Sequence, residues 1–169
     1  MDPWIDSPSD HLNEYYGQIL DSRIIPLVAL TRKRGFPIIV LTNNPKTSGY
    51  NSKTSPKLET LVANGEISRF FHQDLDDDGF ARYLHSQGVD SLIYTGFASN
   101  GCVIGRRTGM IPMLHLGFRI FFIPEASAAL ELADSWEEQS LHKASTKIIS
   151  QWIAEIIDYD EFMKALVVE

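Results

Sequence analysis

The sequence predicts a three-layer α/β/α domain built on a mostly parallel sheet. Short runs of β-branched and aromatic residues alternate along the chain with longer stretches of helical periodicity. The strand candidates carry almost no polar alternation, which is typical of strands that helices cover on both faces. Strands that alternate with helices form right-handed βαβ units, and these place the strands parallel to one another. The 169 residues suffice for a single domain, residues 1–169, with its own core.

The first half of the chain gives three predicted elements and a loop. A helix is expected over residues 11–34, broken or kinked at Pro26 and ended by Gly35. The apolar run PIIVLT follows as a strand, and a long polar loop of the kind that often lines binding sites comes next. A short helix then begins after Ser55, whose side chain is a suitable cap.

The remaining strands are predicted at ISRFFHQ, DSLIYTGF and FRIFFIP. Between the first two of these, a helix begins with acidic residues near its positive end and stops at Gly88. A turn and a helix connect the second to the third. A polar loop, a long amphipathic helix, a short strand and a helical turn close the chain.

Charge and composition narrow the classes of partner. The net charge of −7 would repel a phosphate backbone, so we expect no nucleic-acid partner. No apolar run approaches the ~20 residues that span a bilayer, so we expect no membrane partner. A single cysteine cannot form an internal disulfide, and the acidic beginning of the sequence does not resemble a signal peptide. These features predict a cytoplasmic location.

The only cysteine, Cys102, lies in TGFASNGCV, just beyond a predicted strand. Ligands of such sheets bind beyond the carboxyl ends of the strands. Gly96 and Gly101 permit a tight turn, and free N–H groups at the start of the next helix would lower the thiol pKa and hold an oxyanion. The residues alone leave two alternatives open, a nucleophile or a small buried apolar side chain.

The segment LIYTGFASNGCVIGRRTGMIPMLHLGFRIFFIPEASAALE resembles the central signature of the isochorismatase-like cysteine hydrolases. In that family a strand ends in a turn closed by Asn–x–Cys–Val, and a second strand ends near an acidic residue. IIPLVALTRKRGFPIIVLT is similar to the family's first helix and second strand, and the resemblance extends from Leu12 to about Phe162. It implies an isochorismatase-like, Rossmann-like fold whose first strand is missing at the N-terminus.

The family uses an Asp–Lys–Cys triad, and the resemblance assigns two of its members. MDPWIDSP is similar to the family's Asp–x–Gln–x–Asp pattern, which makes Asp2 the base for the Cys102 thiol. No lysine lies between Lys57 and Lys143, so Arg69 and His72 are the candidates for the missing cation. The resemblance also implies oxyanion donors at the N–H groups of Ala98 and Cys102, and a cis peptide bond before Ala98.

Substrate-binding candidates are Trp4, Phe97, Asn100 and Arg106, of which the arginine offers a planar fork to a carboxylate. The nicotinamidase branch of the family binds a metal through an Asp–x–His pattern and further histidines. The corresponding segment here, TNNPKTSGYN, has no Asp or His. We therefore expect no metal and no other cofactor.

The resemblance implies a cysteine-dependent hydrolase that cleaves an amide, carbamoyl or related C–N bond of a small molecule through a thioester. The alternative is a catalytically inactive binding or scaffold protein on the same fold, favoured by the absent lysine and the missing strand. A redox-sensing thiol is a third possibility, without a resolving cysteine in the chain. Family members commonly form dimers or tetramers, which predicts a homo-oligomer.

Overall fold

The computed structural model describes residues 1–49, 52–76 and 78–167. The strands are β1 (Ile39–Thr42), β2 (Ser68–Phe71), β3 (Ser91–Phe97), β4 (Arg119–Ala128) and β5 (Glu155–Ile156). The helices are α1 (Asp10–Ile19), α2 (Ile25–Lys33), α3 (Pro56–Ala63), α4 (Gly79–Ser86), α5 (Cys102–Gly105), α6 (Met110–His115), α7 (Ser140–Trp152) and α8 (Tyr159–Val167). Over these ranges none of the helices has the length and apolar character that crossing a membrane requires.

The predicted first helix is continuous but contains a π-helical turn. A π-helical turn over Leu20–Ile24 joins α1 to α2, and Pro26 lies in the first turn of α2. A proline lacks the N–H that would bond to the preceding turn, and a wider turn accommodates this loss without ending the helix. Gly35, with φ +78°, then ends α2 as predicted.

Strand β4 is longer than the sequence predicts. The predicted strand ends at Pro124, but the strand continues to Ala128. The register of the ladder with β3 shifts between Tyr94 and Gly96. At this shift the Ser127 hydroxyl accepts a hydrogen bond from Gly96 N at 3.1 Å and donates one to Ile123 O at 3.0 Å.

Helices cover the sheet on both faces, as the strand composition predicts. Successive strand side chains point to opposite faces. Phe122 of β4 packs in a cluster with residues of α4, α6 and α7, whereas its neighbour Ile123 packs in a cluster with residues of α1, α2 and α8. The result is the three-layer α/β/α arrangement.

The parallel sheet has two parts, β1–β2 and β3–β4–β5. Only Met1 and Asp2 lie between β1 and β3 in the described chain. The Met1 α-amino group donates to Thr95 O at 2.8 Å, and its carbonyl accepts from Phe97 N at 3.0 Å. Asp2 N donates to Leu41 O at 2.7 Å. These bonds place Asp2 at the carboxyl ends of β1 and β3, where the family's first strand would end.

Candidate active site

A pocket of about 380 Å³ contains Cys102 and lies where β1 and β3 end. Asn43, directly after β1, and Ala98, directly after β3, both contribute to its wall. The carboxyl edge of a parallel sheet is the usual position of a ligand site. The other lining residues are Trp4, Ser7, Ser48, Asn100, Gly101, Arg106 and Leu130.

The turn that carries Cys102 is fixed by backbone bonds. The peptide bond between Phe97 and Ala98 is cis, as the family resemblance implies. Ala98 O accepts from the N–H groups of Gly101 at 3.0 Å and Val103 at 3.1 Å, which folds the turn onto the start of α5. Cys102 and Ala98 both line the pocket, and a hydrogen bond joins the Ala98 backbone to the Cys102 thiol.

Asn100 ties this turn to the segment that follows β4. Its side-chain oxygen accepts from Leu130 N at 2.9 Å, and its side-chain nitrogen donates to Leu130 O at 3.2 Å. Both polar groups of the amide are thus engaged with the backbone. The placement favours a role in holding the turn rather than the substrate-binding role predicted from the sequence.

Burial raises the pKa of the Cys102 thiol, and the carboxylate of Asp2 raises it further. The guanidinium of Arg106 and a hydrogen bond from the Ala98 backbone act in the opposite direction. The net direction is opposite to the one expected from the sequence, because burial and the Asp2 charge outweigh the arginine and backbone contributions that lower the pKa. The thiol is protonated at neutral pH and needs a base to become a nucleophile.

Asp2 is fully buried and stands between two positively polarised groups. Its Oδ1 lies 3.0 Å from Nε2 of His72, and its Oδ2 lies 3.3 Å from Nε of Arg106. The second contact is an ion pair without hydrogen-bond alignment. Because an ionised carboxylate only accepts, His72 Nε2 carries the hydrogen in the first contact. On the other side of the ring, Nδ1 lies 3.1 Å from the hydroxyl of Thr108.

The two cation candidates from the sequence lie in different places. The His72 ring is nearly buried against Asp2. Arg69, by contrast, binds both carboxylate oxygens of Glu59, at 2.8 and 2.7 Å, and its guanidinium lies over the ring of Phe71. The structure therefore brings His72 to Asp2 and leaves Arg69 outside the pocket.

Arg106 was predicted to bind substrate, and its position next to the thiol was missed. It stands four residues after Cys102, and residues at this spacing on a helix lie on the same face. That spacing is the sequence signal that could have identified it. Thr108, buried beside His72, carried no such signal, since its contact depends on the fold.

The two aromatic residues predicted to bind substrate, Trp4 and Phe97, differ in their access to the pocket. Trp4 lines the pocket and is held by an antiparallel bridge to Thr54. Phe97 is completely buried and stacks on Tyr16 with ring centroids 4.1 Å apart. Trp4 can therefore contact a bound molecule, whereas Phe97 supports the floor of the site from within the core.

Across residues 1–49, 52–76 and 78–167, no three or more His, Cys, Asp or Glu side chains are gathered as ligands for a metal. Two residues of TNNPKTSGYN, Tyr50 and Asn51, lie outside the described part of the chain. The expectation of a metal-independent site stays a prediction.

A model of the isochorismatase domain matches residues 9–161. The chain belongs to the isochorismatase family. This confirms the resemblance read from the Cys102 turn, and with it the isochorismatase-like fold. None of the curated proteins compared with the chain matches it.

Solved structures of isochorismatase-like hydrolases share this fold. A nicotinamidase from Staphylococcus aureus is 16% identical with a TM-score of 0.64, over 83% of this chain and 86% of that one. An octameric hydrolase of unknown specificity from Escherichia coli is 16% identical with a TM-score of 0.66, over 86% and 67%. A cysteine hydrolase from Pseudomonas syringae is 17% identical with a TM-score of 0.63, over 85% and 78%.

Proposed function

We propose that this isochorismatase-family chain is a metal-independent cysteine hydrolase that cleaves an amide, carbamoyl or related C–N bond of a small molecule. The observation that carries the proposal is that Cys102 and Arg106 line the 380 Å³ pocket, while the buried Asp2 carboxylate lies 3.3 Å from Nε of Arg106 and interacts electrostatically with the thiol. A nucleophile, a base and a cation are the groups that a covalent hydrolysis requires. The nicotinamidase and the cysteine hydrolase of the same fold support this reaction class.

In the first half of the reaction, Asp2 accepts the thiol proton of Cys102 while Arg106 stabilises the thiolate. The sulfur forms a bond to the carbonyl carbon, and the electron pair of the carbonyl double bond moves to oxygen. The backbone N–H groups of Ala98 and Cys102 hold the resulting oxyanion. When the oxyanion collapses, the C–N bond breaks and Asp2 returns its proton to the leaving nitrogen.

In the second half, water cleaves the thioester. Asp2, ionised again, takes a proton from the attacking water, and the same N–H groups hold the second oxyanion. The C–S bond then breaks and the proton passes to the Cys102 sulfur, which restores the starting thiol. His72 positions the Asp2 carboxylate throughout by donating to its Oδ1.

Purified protein assayed for ammonia or amine release from a panel of small amides and carbamoyl compounds tests the proposal. Cys102→Ala and Asp2→Asn should each abolish release, and intact mass should show an acyl adduct that disappears in Cys102→Ala. Arg69→Gln is the matched control, because that cation is bound to Glu59 outside the pocket. Turnover that survives in Cys102→Ala would overturn the mechanism.

The alternative function is a catalytically inactive binding or scaffold protein. The observations that favour it are the absence of a lysine from the described residues that line the pocket, and the two-part sheet. An inactive protein would show no acyl adduct with any compound of the panel, while the Cys102 thiol would still react with an alkylating agent.

The proposal includes a homo-oligomer, a dimer or tetramer, and a cytoplasmic location. The octameric hydrolase of similar fold supports assembly into a larger particle. Sedimentation of the purified protein measures the oligomeric state directly.

A further inference from the structure

The turn between β3 and α5 is held by the side chains of two adjacent residues. Asn100 bonds to both backbone groups of Leu130. Ser99 is completely buried, and its Oγ lies 2.8 Å from Nδ1 of His142 in α7 and 2.9 Å from Oγ of Ser145. Neither Ser99 nor His142 is among the described residues that line the 380 Å³ pocket. The two side chains therefore meet away from the pocket, between the turn and α7.

The segment after β4 connects these two anchors. Leu130 is bonded to Asn100, and the next residue, Glu131, is buried. The Glu131 carboxylate accepts from the N–H groups of two residues in the first turn of α7, one of which is His142 at 2.7 Å. These N–H groups have no partner within the helix. Hydrogen bonds and the chain itself thus form a closed ring that runs from the turn to this segment, then to α7, and back to the turn through Ser99.

The His142 ring has a partner at each nitrogen. A hydrogen bond joins the ring to the backbone of Pro124, and because proline has no N–H, the ring donates to the Pro124 carbonyl. Nδ1 is in contact with Ser99, so the nitrogen that donates is Nε2. A neutral imidazole carries a single hydrogen, which leaves Nδ1 to accept the hydrogen of the Ser99 hydroxyl.

Burial favours this neutral form of the ring. Burial lowers the pKa of His142, while the hydrogen bond to the carbonyl and the carboxylates of Glu131 and Glu125 act in the opposite direction. On α7 itself, the adjacent Lys143 pairs with Glu138 at 3.5 Å. The turn between β3 and α5 contains no charged side chain. At neutral pH Nδ1 is therefore an acceptor.

We propose that His142 is a positioning residue that acts through Ser99 to fix the turn of Cys102. This turn presents the N–H groups of Ala98 and Cys102 that hold the oxyanion in the proposed hydrolysis, so the role of His142 rests on that function. Ser99 N also donates to Ala128 O at 2.8 Å, which holds its main chain to β4 while its side chain is held to α7. Such donors stabilise an oxyanion best when they are fixed before the charge develops.

A double-variant cycle tests whether Ser99 and His142 act as one unit. Ser99→Ala and His142→Leu should each lower kcat roughly tenfold, the loss that corresponds to one buried hydrogen bond, with a smaller change in KM. The double variant should be no slower than either single variant, because both substitutions break the same contact. A double variant slowed by the product of the two losses, or single variants with full kcat, would show the proposal to be wrong.

A conservative variant separates positioning from a general loss of packing. His142→Asn retains an acceptor close to the position of Nδ1 and should recover most of the kcat that His142→Leu loses. Ser150→Ala is the matched control, because Ser150 lies on the same helix and its exposed hydroxyl bonds to Lys147 O. This control should keep full kcat. If the asparagine variant is as slow as the leucine variant, His142 does not act through its bond to Ser99.

Nitrogen NMR of the unsubstituted protein measures the contact directly, and it applies even if His142→Leu does not fold. We expect a neutral His142 ring at neutral pH, with its hydrogen on Nε2 and a titration midpoint below that of an ordinary histidine. Ser99→Ala should shift the Nδ1 resonance towards that of a nitrogen without a donor. A hydrogen on Nδ1 at neutral pH would contradict the direction of the bond, and an unchanged Nδ1 resonance in Ser99→Ala would contradict the bond itself.

Hydrogen exchange keeps the test independent of whether the chain hydrolyses amides. The N–H groups of Gly101 and Val103 bond to Ala98 O within the turn. Their exchange should become faster in Ser99→Ala and His142→Leu and stay slow in His142→Asn. Unchanged exchange in the first two variants would refute the positioning role, even in a fully active enzyme. If exchange becomes faster but no compound of the panel is hydrolysed, the proposed function fails while the anchoring of the turn by His142 stands.

Discussion

The Nε atom of Arg106 lies 3.3 Å from Oδ2 of Asp2, and these two side chains act on the Cys102 thiol in opposite directions. The arginine lowers the thiol pKa, while the aspartate and burial raise it. In the proposed reaction both are needed, because the aspartate removes the proton and the arginine stabilises the anion that remains. Asp2 thus makes the thiol less acidic and yet is the group that deprotonates it during the reaction.

Asp2→Asn should lower the pKa of Cys102 and abolish turnover together. Removing the carboxylate removes a charge that opposes the thiolate, so the midpoint of the pH dependence of alkylation moves down. Turnover is lost because an amide cannot accept the thiol proton that the Asp2 carboxylate takes in the proposed reaction. Asparagine tolerates the left-handed conformation of residue 2, where φ is +46°, so the backbone is retained. A midpoint that rises, measured with iodoacetamide between pH 6 and 11, would contradict the assignment.

Arg106→Gln should raise the pKa of Cys102 and slow hydrolysis by about two orders of magnitude, a typical effect of removing one group that stabilises charge in an active site. The alkylation midpoint moves up because the attractive charge next to the thiolate is gone. Arg106→Lys should restore part of both properties. Arg69→Gln is the control, and an equal effect of this variant would show that the thiol responds to a distant charge.

His72→Ala should reduce kcat more than it changes KM. The imidazole donates to Asp2 and contacts Thr108, and it does not line the pocket. Its loss leaves the carboxylate free to rotate away from the thiol, which affects the chemical steps more than binding. Thr108→Val should show a weaker version of the same change. A rise in KM at unchanged kcat would assign His72 to substrate binding instead.

Gly96→Ala should destabilise the protein by more than about 2 kcal/mol and eliminate turnover. The new methyl group would collide with Met1 O and displace the residue that precedes Asp2. Gly88→Ala is the matched control, since φ is also positive there, at +72°, while no atom lies within 4 Å of the added carbon. Both variants share the cost of placing alanine at positive φ. The difference between their free energies of unfolding in urea therefore measures the collision with Met1 alone. Equal destabilisation would mean that Met1 moves aside freely.

Asn100→Ala should lower the free energy of unfolding by about 1–2 kcal/mol, because it removes two hydrogen bonds to Leu130. It should also reduce turnover, since the turn that holds Cys102 loses its connection to the end of β4. Asn64→Ala, which removes only a local bond to Glu66, is the comparison for unfolding. Normal turnover with a raised KM would support the substrate-binding role that the sequence predicts for Asn100.

Local features of the chain were predictable, and features that depend on distant contacts were not. The strand before Cys102 and its turn follow from a short apolar run and two glycines, so the sequence located both. The extension of β4 beyond Pro124 depends on the Ser127 hydroxyl bridging to Gly96, a contact between strands. The direction of the thiol pKa depends on burial, which arises only when the helices pack over the site.

The cation beside Asp2 is the clearest example of a feature that depends on distant contacts. The sequence offered Arg69 and His72 because the family places its lysine near them along the chain. In three dimensions Arg69 pairs with Glu59 outside the pocket, and Arg106, directly after the short helix that begins at Cys102, lies 3.3 Å from Asp2. Linear correspondence to a motif identifies positions, but it does not identify which side chain fills the space beside a thiol.

The burial of Cys102 also bears on oxidation. Peroxide attacks thiolates, and a thiol whose pKa is raised presents little thiolate at neutral pH. Sulfenic acid should therefore form at Cys102 no faster than on free cysteine, which speaks against a redox sensor. A thiol that gives its proton to Asp2 only when a substrate is bound would resist oxidation between turnovers.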